Sequence, residues 1–158
     1  MAIDKAGEWW KSEVAADIRP YLSALTNTGY PATEYRQCAC RCGSTEFHAE
    51  YDSDEGLCRR ICSECKFVHY ICDSDEFWEE GNPEALVCAV CQEMQFNLMV
   101  GFAFYEVELK RKWFFLKQRP KFIRWIYVGC RCTNCKVLGC YAEWKSGSEN
   151  TRKLMDMV

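Results

Sequence analysis

Eight cysteines of this chain stand in four close pairs, and that spacing limits the possible folds more than any other feature. The pairs are Cys40-x-Cys42, Cys62-x-x-Cys65, Cys88-x-x-Cys91 and Cys132-x-x-Cys135. In all, 13 of the 158 residues are cysteine, a density typical of small folds whose thin cores need cross-links. An odd count excludes complete internal disulfide pairing. Residues Met1 to Glu8 carry charge early and lack the apolar stretch of a secretory signal. The longest uncharged apolar-rich run, Met94 to Tyr105, is too short to span a bilayer. The expectation is a soluble, cytoplasmic protein with no membrane association, where thiols stay reduced and cysteine clusters hold metal.

Structural zinc takes four soft or borderline ligands in a tetrahedron, and each short cysteine turn supplies two sulfurs. Cys40, Cys42, Cys62 and Cys65 make one predicted set, and Cys88, Cys91, Cys132 and Cys135 the other. Two structural zinc ions per chain follow. The first pair is one residue shorter than usual, so Cys38 competes with Cys40 as a ligand. Cys58, His69 and Cys130 are further alternatives. Cys72 and Cys140 lie in strand-like runs and read as small core residues.

The chain reads as α+β, with an N-terminal helix packed on two zinc-ribbon-like antiparallel β modules. Residues 4–25 are predicted helical, with Trp10, Val14, Ile18, Leu22 and Leu25 near one face and Pro20 kinking the helix or opening a second. Strands are expected at Phe47–Tyr51, Leu57–Cys62, Phe67–Cys72, residues 95–108, Trp113–Leu116, Phe122–Val128 and Val137–Trp144. A short helix is expected in Ser148–Val158. Phe102, Phe104, Trp113, Trp125 and Trp144 are the predicted core or interface aromatics. Cysteine pair, hairpin, cysteine pair and strand recur twice: Phe47 follows Cys42, and Phe96 follows Cys91, at the same offset, and both second pairs are followed by lysine. Three segments result: 1–37, helical; 38–82, first ribbon with an acidic linker; 83–158, second ribbon with a long basic hairpin and a tail.

Several stretches together resemble bacterial double zinc-ribbon proteins of uncharacterised function: Cys40-x-Cys42-Gly43-Ser44-x-x-Phe47, Cys62-x-x-Cys65, Asp73-Ser74-x-x-Phe77-Trp78, Trp125-x-Tyr127-Val128-Gly129-x-Arg131-Cys132-x-x-Cys135 and Tyr141-x-x-Trp144-Lys145. The likeness covers about residues 38–158. It implies the fold and the ligands but no activity. The basic insertion at 109–121, Cys130 and Cys140 depart from the pattern.

Both predicted sites are closed by four protein thiolates, leaving no position for water or substrate. Nothing in the sequence offers a nucleophile–base pair, so neither catalysis nor a small-molecule substrate is expected. Net charge is only −3, but it is unevenly spread: an acidic stretch precedes a basic one. The leading reading is a protein-interaction module, such as an immunity or antidote protein or an adaptor. Its face would carry Tyr70, Asp73, Asp75, Glu76, Phe77 and Trp78, and an unidentified protein would be its partner. The second reading is nucleic-acid binding by the basic-aromatic hairpin 109–128, through Lys110, Arg111, Lys112, Lys117, Arg119, Lys121 and Arg124. The third, a C-x-x-C thiol redox protein, requires such a pair at a helix N-terminus.

Overall fold

A computed structural model describes residues 2–106, 121–147 and 151–158. The fold is α+β: a helix against one eight-stranded antiparallel sheet. The helix, α1, runs Ile18–Thr26, after a 3-10 turn at Ala15–Asp17. The strands are β1 (Glu34–Gln37), β2 (Phe47–Asp52), β3 (Leu57–Cys62), β4 (Val68–Tyr70), β5 (Glu84–Ala85), β6 (Phe96–Glu106), β7 (Lys121–Cys132) and β8 (Leu138–Lys145). Short helices α2 (Ser74–Phe77) and α3 (Thr151–Met155) and a second 3-10 turn at Trp78–Glu80 complete the elements among the described residues.

The main path of the sheet is β4-β3-β2-β6-β7-β8, with β1 paired to β6 and β5 paired to β2. Its two halves are wired alike about the β2–β6 contact, which is a single register pair, Phe47 with Phe96. Phe47 also lies opposite Cys62, and Phe96 opposite Cys132. The chain entering each ribbon crosses to the other: Cys38 N–H donates to Leu98 O at 3.0 Å, and Leu86 N–H to Ala49 O at 2.8 Å. Phe47 and Phe96 are 0% and 2% exposed, and each such burial contributes about 1.5–3 kcal/mol.

Alternation places Phe96, Leu98, Val100 and Phe102 in the main core, shared with Phe47, Ala49 and Cys58 of the first ribbon. Met99, Ala103 and Tyr127 face a second cluster with Ile18 and Leu22 of α1. Strand β6 is thus covered on both faces, and its apolar run is continuous rather than alternating. Helix α1 comes close because Gly129 has no side chain. A Cβ there would stand 2.5 Å from Ile18 Cγ2 and 2.9 Å from Leu22 Cδ1. Of the predicted aromatics, Phe102 and Trp144 are buried, while Phe104 and Trp125 pack at the edges of the two clusters. Trp113 and the strand expected at Trp113–Leu116 lie outside the described residues.

The N-terminal helix is shorter than its sequence suggests. Residues 4–14 are not helical: Asp4 bridges Lys11, and Lys11 bridges Val137. The cause lies far along the chain, in Arg131. Its Nε donates to Ser12 O at 2.6 Å and its Nη2 to Glu13 O at 2.9 Å, holding those carbonyls away from helical partners. Val14 and Leu25 are 43% and 49% exposed, so neither joins the apolar face. Pro20 sits in the first turn of α1, where its missing N–H leaves no intrahelical bond unmade.

Candidate metal centres

Each cysteine pair occupies a turn with the same backbone signature. Lys66, Gln92 and Lys136, the residues after the second cysteines, have φ of 64°, 64° and 68°. Their N–H groups return to Cys62, Cys88 and Cys132 carbonyls at 3.1, 2.9 and 3.1 Å. This left-handed conformation costs an ordinary residue about 1–2 kcal/mol, so it persists only where the surroundings demand it. The short first pair follows the same plan with one residue fewer. Gly43 takes φ 93°, and its N–H donates to Cys40 O at 2.8 Å. Glycine supplies that angle without a Cβ penalty, which is how Cys-x-Cys builds a turn that elsewhere needs Cys-x-x-Cys.

The turns bring together Cys40, Cys42, Cys62 and Cys65 in one cluster and Cys88, Cys91, Cys132 and Cys135 in the other. Within each, all sulfurs lie within 4.8 Å of one another. Cys40–Cys65 and Cys42–Cys62 are both 3.5 Å apart, Cys88–Cys135 3.6 Å and Cys91–Cys132 3.5 Å. Four sulfurs at a Zn–S distance of about 2.3 Å stand about 3.8 Å apart in a regular tetrahedron, so these close pairs fall within a few tenths of an ångström of that spacing and the remaining pairs within about 1 Å of it. All thirteen cysteines are free of disulfides.

The acid–base balance of the clusters also fits a cation. Burial opposes ionisation of Cys62, but N–H groups of Cys65 and Glu64, then the Cys42 and Cys40 thiols, bring it down to about 6. Cys42 receives the Ser44 N–H, yet the adjoining Cys62, burial and the other two sulfurs push it up to about 11. In the second cluster the Asn134 side chain and the Glu93 N–H bring Cys91 down to about 6, despite burial. Burial and its three sulfur neighbours raise Cys135 to about 12, against the Val137 N–H. Four thiolates so close cannot all ionise unaided; a divalent cation at the centre removes the conflict.

The alternative ligands lie outside both clusters. Cys38 is 1% exposed and fixed by its N–H to Leu98. Burial pushes its thiol up to about 12, against the favourable charge of Arg60. Cys58 meets Tyr141, Sγ to Oη at 2.9 Å. Cys130 lies opposite Gly139 within the β7–β8 pair, and His69 opposite Arg60 in the β3–β4 pair.

The proposed interaction residues divide into packed and exposed members. Tyr70 and Trp78 meet edge to face at 5.2 Å. Arg59 covers Trp78 at 4.6 Å while bonding to Glu50 and Tyr70. Asp73 is half-buried, and that burial raises its carboxyl. Phe77 is 46% exposed, between exposed Asp75 and Glu76 and exposed Glu79 and Glu80. Of the basic hairpin, Lys110, Arg111, Lys112, Lys117 and Arg119 lie outside the described residues. Lys121 and Arg124 are exposed on β7, and Arg124 covers Tyr30 at 4.5 Å.

Sequence reasoning missed Arg131, which is 6% exposed and bonds the strand entering the second cluster to the N-terminal segment. Named only as one position of the motif before Cys132, it gave no local signal of burial or of a bond to the N-terminal segment. Among the described residues no helix is long and apolar enough to cross a membrane. No protein-family model, no curated protein and no solved structure matches this chain.

Proposed function

We propose that this chain is a non-catalytic protein stabilised by two zinc ions, a double zinc ribbon whose two halves are copies of one unit, and that it works by binding another protein. The observation that carries this reading is the pair of four-sulfur clusters, each complete within the chain. The eight cysteines would hold the ions, and zinc with four thiolates supplies cross-linking rather than a water to activate. In small zinc-finger peptides such binding is worth about 10–16 kcal/mol apparent at neutral pH, comparable with a whole domain's stability of about 5–15 kcal/mol. The C-x-x-C pairs stand in sulfur-rich hairpin turns rather than at a helix N-terminus, which favours metal over thiol redox chemistry.

An interaction role has its support in Phe77, exposed at 46% within an acidic run from Asp73 to Glu80. An exposed aromatic flanked in sequence by exposed carboxylates suits a basic partner with an apolar recess, as expected of an adaptor or an antidote protein. The test is affinity capture with the full zinc-loaded chain, paired with Phe77→Ala. Recovery of one defined protein, lost with Phe77→Ala, supports the reading. Repeated recovery of none contradicts it.

A further inference from the structure

Strand β8 ends the sheet order and is an edge. Its start is covered: Lys11 bridges Val137, and Leu138 N–H donates to Trp10 O at 2.7 Å. Further along, Ser146 N–H donates to Arg124 O at 3.2 Å, and Lys145 faces Trp125, Glu143 faces Tyr127 and Ala142 faces Val128. In an antiparallel pair, main-chain bonds alternate sides. Ala142, Trp144 and Ser146 therefore turn theirs toward β7, while Glu143 and Lys145 turn their N–H and C=O outward. Both residues are exposed, and among the described residues no strand pairs with that side.

Beside this edge runs a trough of about 610 Å³, walled by Leu25, Tyr30, Trp125, Tyr127 and Glu143. Tyr30 stacks on Trp125 at 5.4 Å, and Tyr127 Oη donates to Tyr30 O at 2.8 Å. The aromatic wall is thus fixed in place. Glu143 lies opposite Tyr127 in the β7–β8 register and lines the same trough. A free edge next to a trough is the arrangement in which an added strand gains main-chain bonds and its alternate side chains enter pockets.

The geometry points to β8 as a docking edge for an extended segment of a partner protein, with a lysine or arginine opposite Glu143. This rests on the reading of the chain as a protein-interaction module. A residue added opposite Glu143 projects to the same side as Glu143 and Tyr127. There the aromatic rings can cover an aliphatic stem and the carboxylate can meet its cation. The residue two places along lies opposite Lys145, so it should be acidic or neutral.

The test selects random displayed peptides on the full zinc-loaded chain and measures the enriched ones by fluorescence anisotropy and hydrogen exchange. The expected peptides carry a basic residue two places from an acidic or neutral one, and they slow exchange at Glu143 and Lys145. Lys145→Pro keeps every bond to β7, because the lost N–H points outward. It should weaken binding about tenfold or more, about 1.4 kcal/mol. Glu143→Lys, an exposed change with no fold penalty, should reverse the charge preference. Enriched peptides indifferent to both variants but lost with Phe77→Ala overturn the edge and leave the interaction reading standing. Failure to enrich any peptide, while partner capture succeeds, also overturns the edge alone. Displacement of the peptide by a single-stranded oligonucleotide would reassign the trough to nucleic acid.

Discussion

Two buried guanidinium groups should respond very differently to the same substitution. Arg131 and Arg60 are 6% and 3% exposed. Arg131 is satisfied: besides Ser12 and Glu13 carbonyls, its Nη1 donates to Asn97 Oδ1 at 2.8 Å. Arg60 is not. Its Nη2 reaches Val158 O at 2.8 Å and Ala39 O at 3.3 Å, while Nε and Nη1 have no partner. The Cys38 thiol beside it is only a weak acceptor.

Each bond from a charged donor contributes about 1.5–3 kcal/mol, against a penalty of several kcal/mol for burying the charge. Arg131→Met removes three such bonds and orphans three acceptors, for a net loss of about 2–4 kcal/mol. Arg60→Met removes a poorly compensated charge and leaves an apolar stem over Phe47, so it should stay within about 1 kcal/mol of the parent. At about 2–4 °C per kcal/mol for a chain of this size, calorimetry at fixed zinc should show Arg131→Met melting about 4–16 °C lower and Arg60→Met nearly unmoved. Hydrogen exchange should find Lys11 and Ser12 amides exposed only in Arg131→Met. Equal losses in both variants, or protected N-terminal amides in Arg131→Met, would refute the reasoning.

Gly129→Ala places a Cβ 2.5 Å from Ile18 Cγ2, so α1 must lift, at about 1–3 kcal/mol in a denaturant titration. Gly139→Ala, whose Cβ meets only Cys130 Sγ at 3.4 Å, serves as the mild control. Cys42 and Cys65 are exposed, while Cys91 and Cys135 are half-buried, so a chromogenic chelator should strip metal in two phases, the first cluster leading. Cys42→Ser should abolish the fast phase alone. Acidification should also release metal. Cys62 and Cys91 are held down to about 6 even without it, and a bound cation stabilises the thiolates further, so both sites should keep metal at neutral pH and lose it only in acid well below that value. Protons then compete for the sulfurs, and retention through strong acid would contradict thiolate ligation.

The sequence carried the sites better than the scaffold. Cysteine spacing grouped eight of the thirteen into two fours, because a short turn and a tetrahedron leave little freedom. The hairpin of β2 and β3 was legible from alternation at Phe47, Ala49 and Tyr51. Strands β1 and β5 were not, since four and two residues are too few for a periodic signal. Each is placed by pairing with the opposite ribbon. The helix expected over 4–25 begins only at Ile18, because a side chain 119 positions from Ser12 in sequence claims the carbonyls before it. Local periodicity cannot register such a contact. Nor does composition distinguish Tyr70 and Trp78, packed under Arg59, from Phe77, which stands in solvent.

Metal content of the purified, reduced chain by native mass spectrometry tests the central claim most directly. Two zinc ions per chain are expected, falling to one in Cys62→Ser and to one in Cys132→Ser, with both clusters emptied together only in the double variant. A chain that folds with no bound metal, or that loses both ions with either single substitution, would contradict two independent four-cysteine sites.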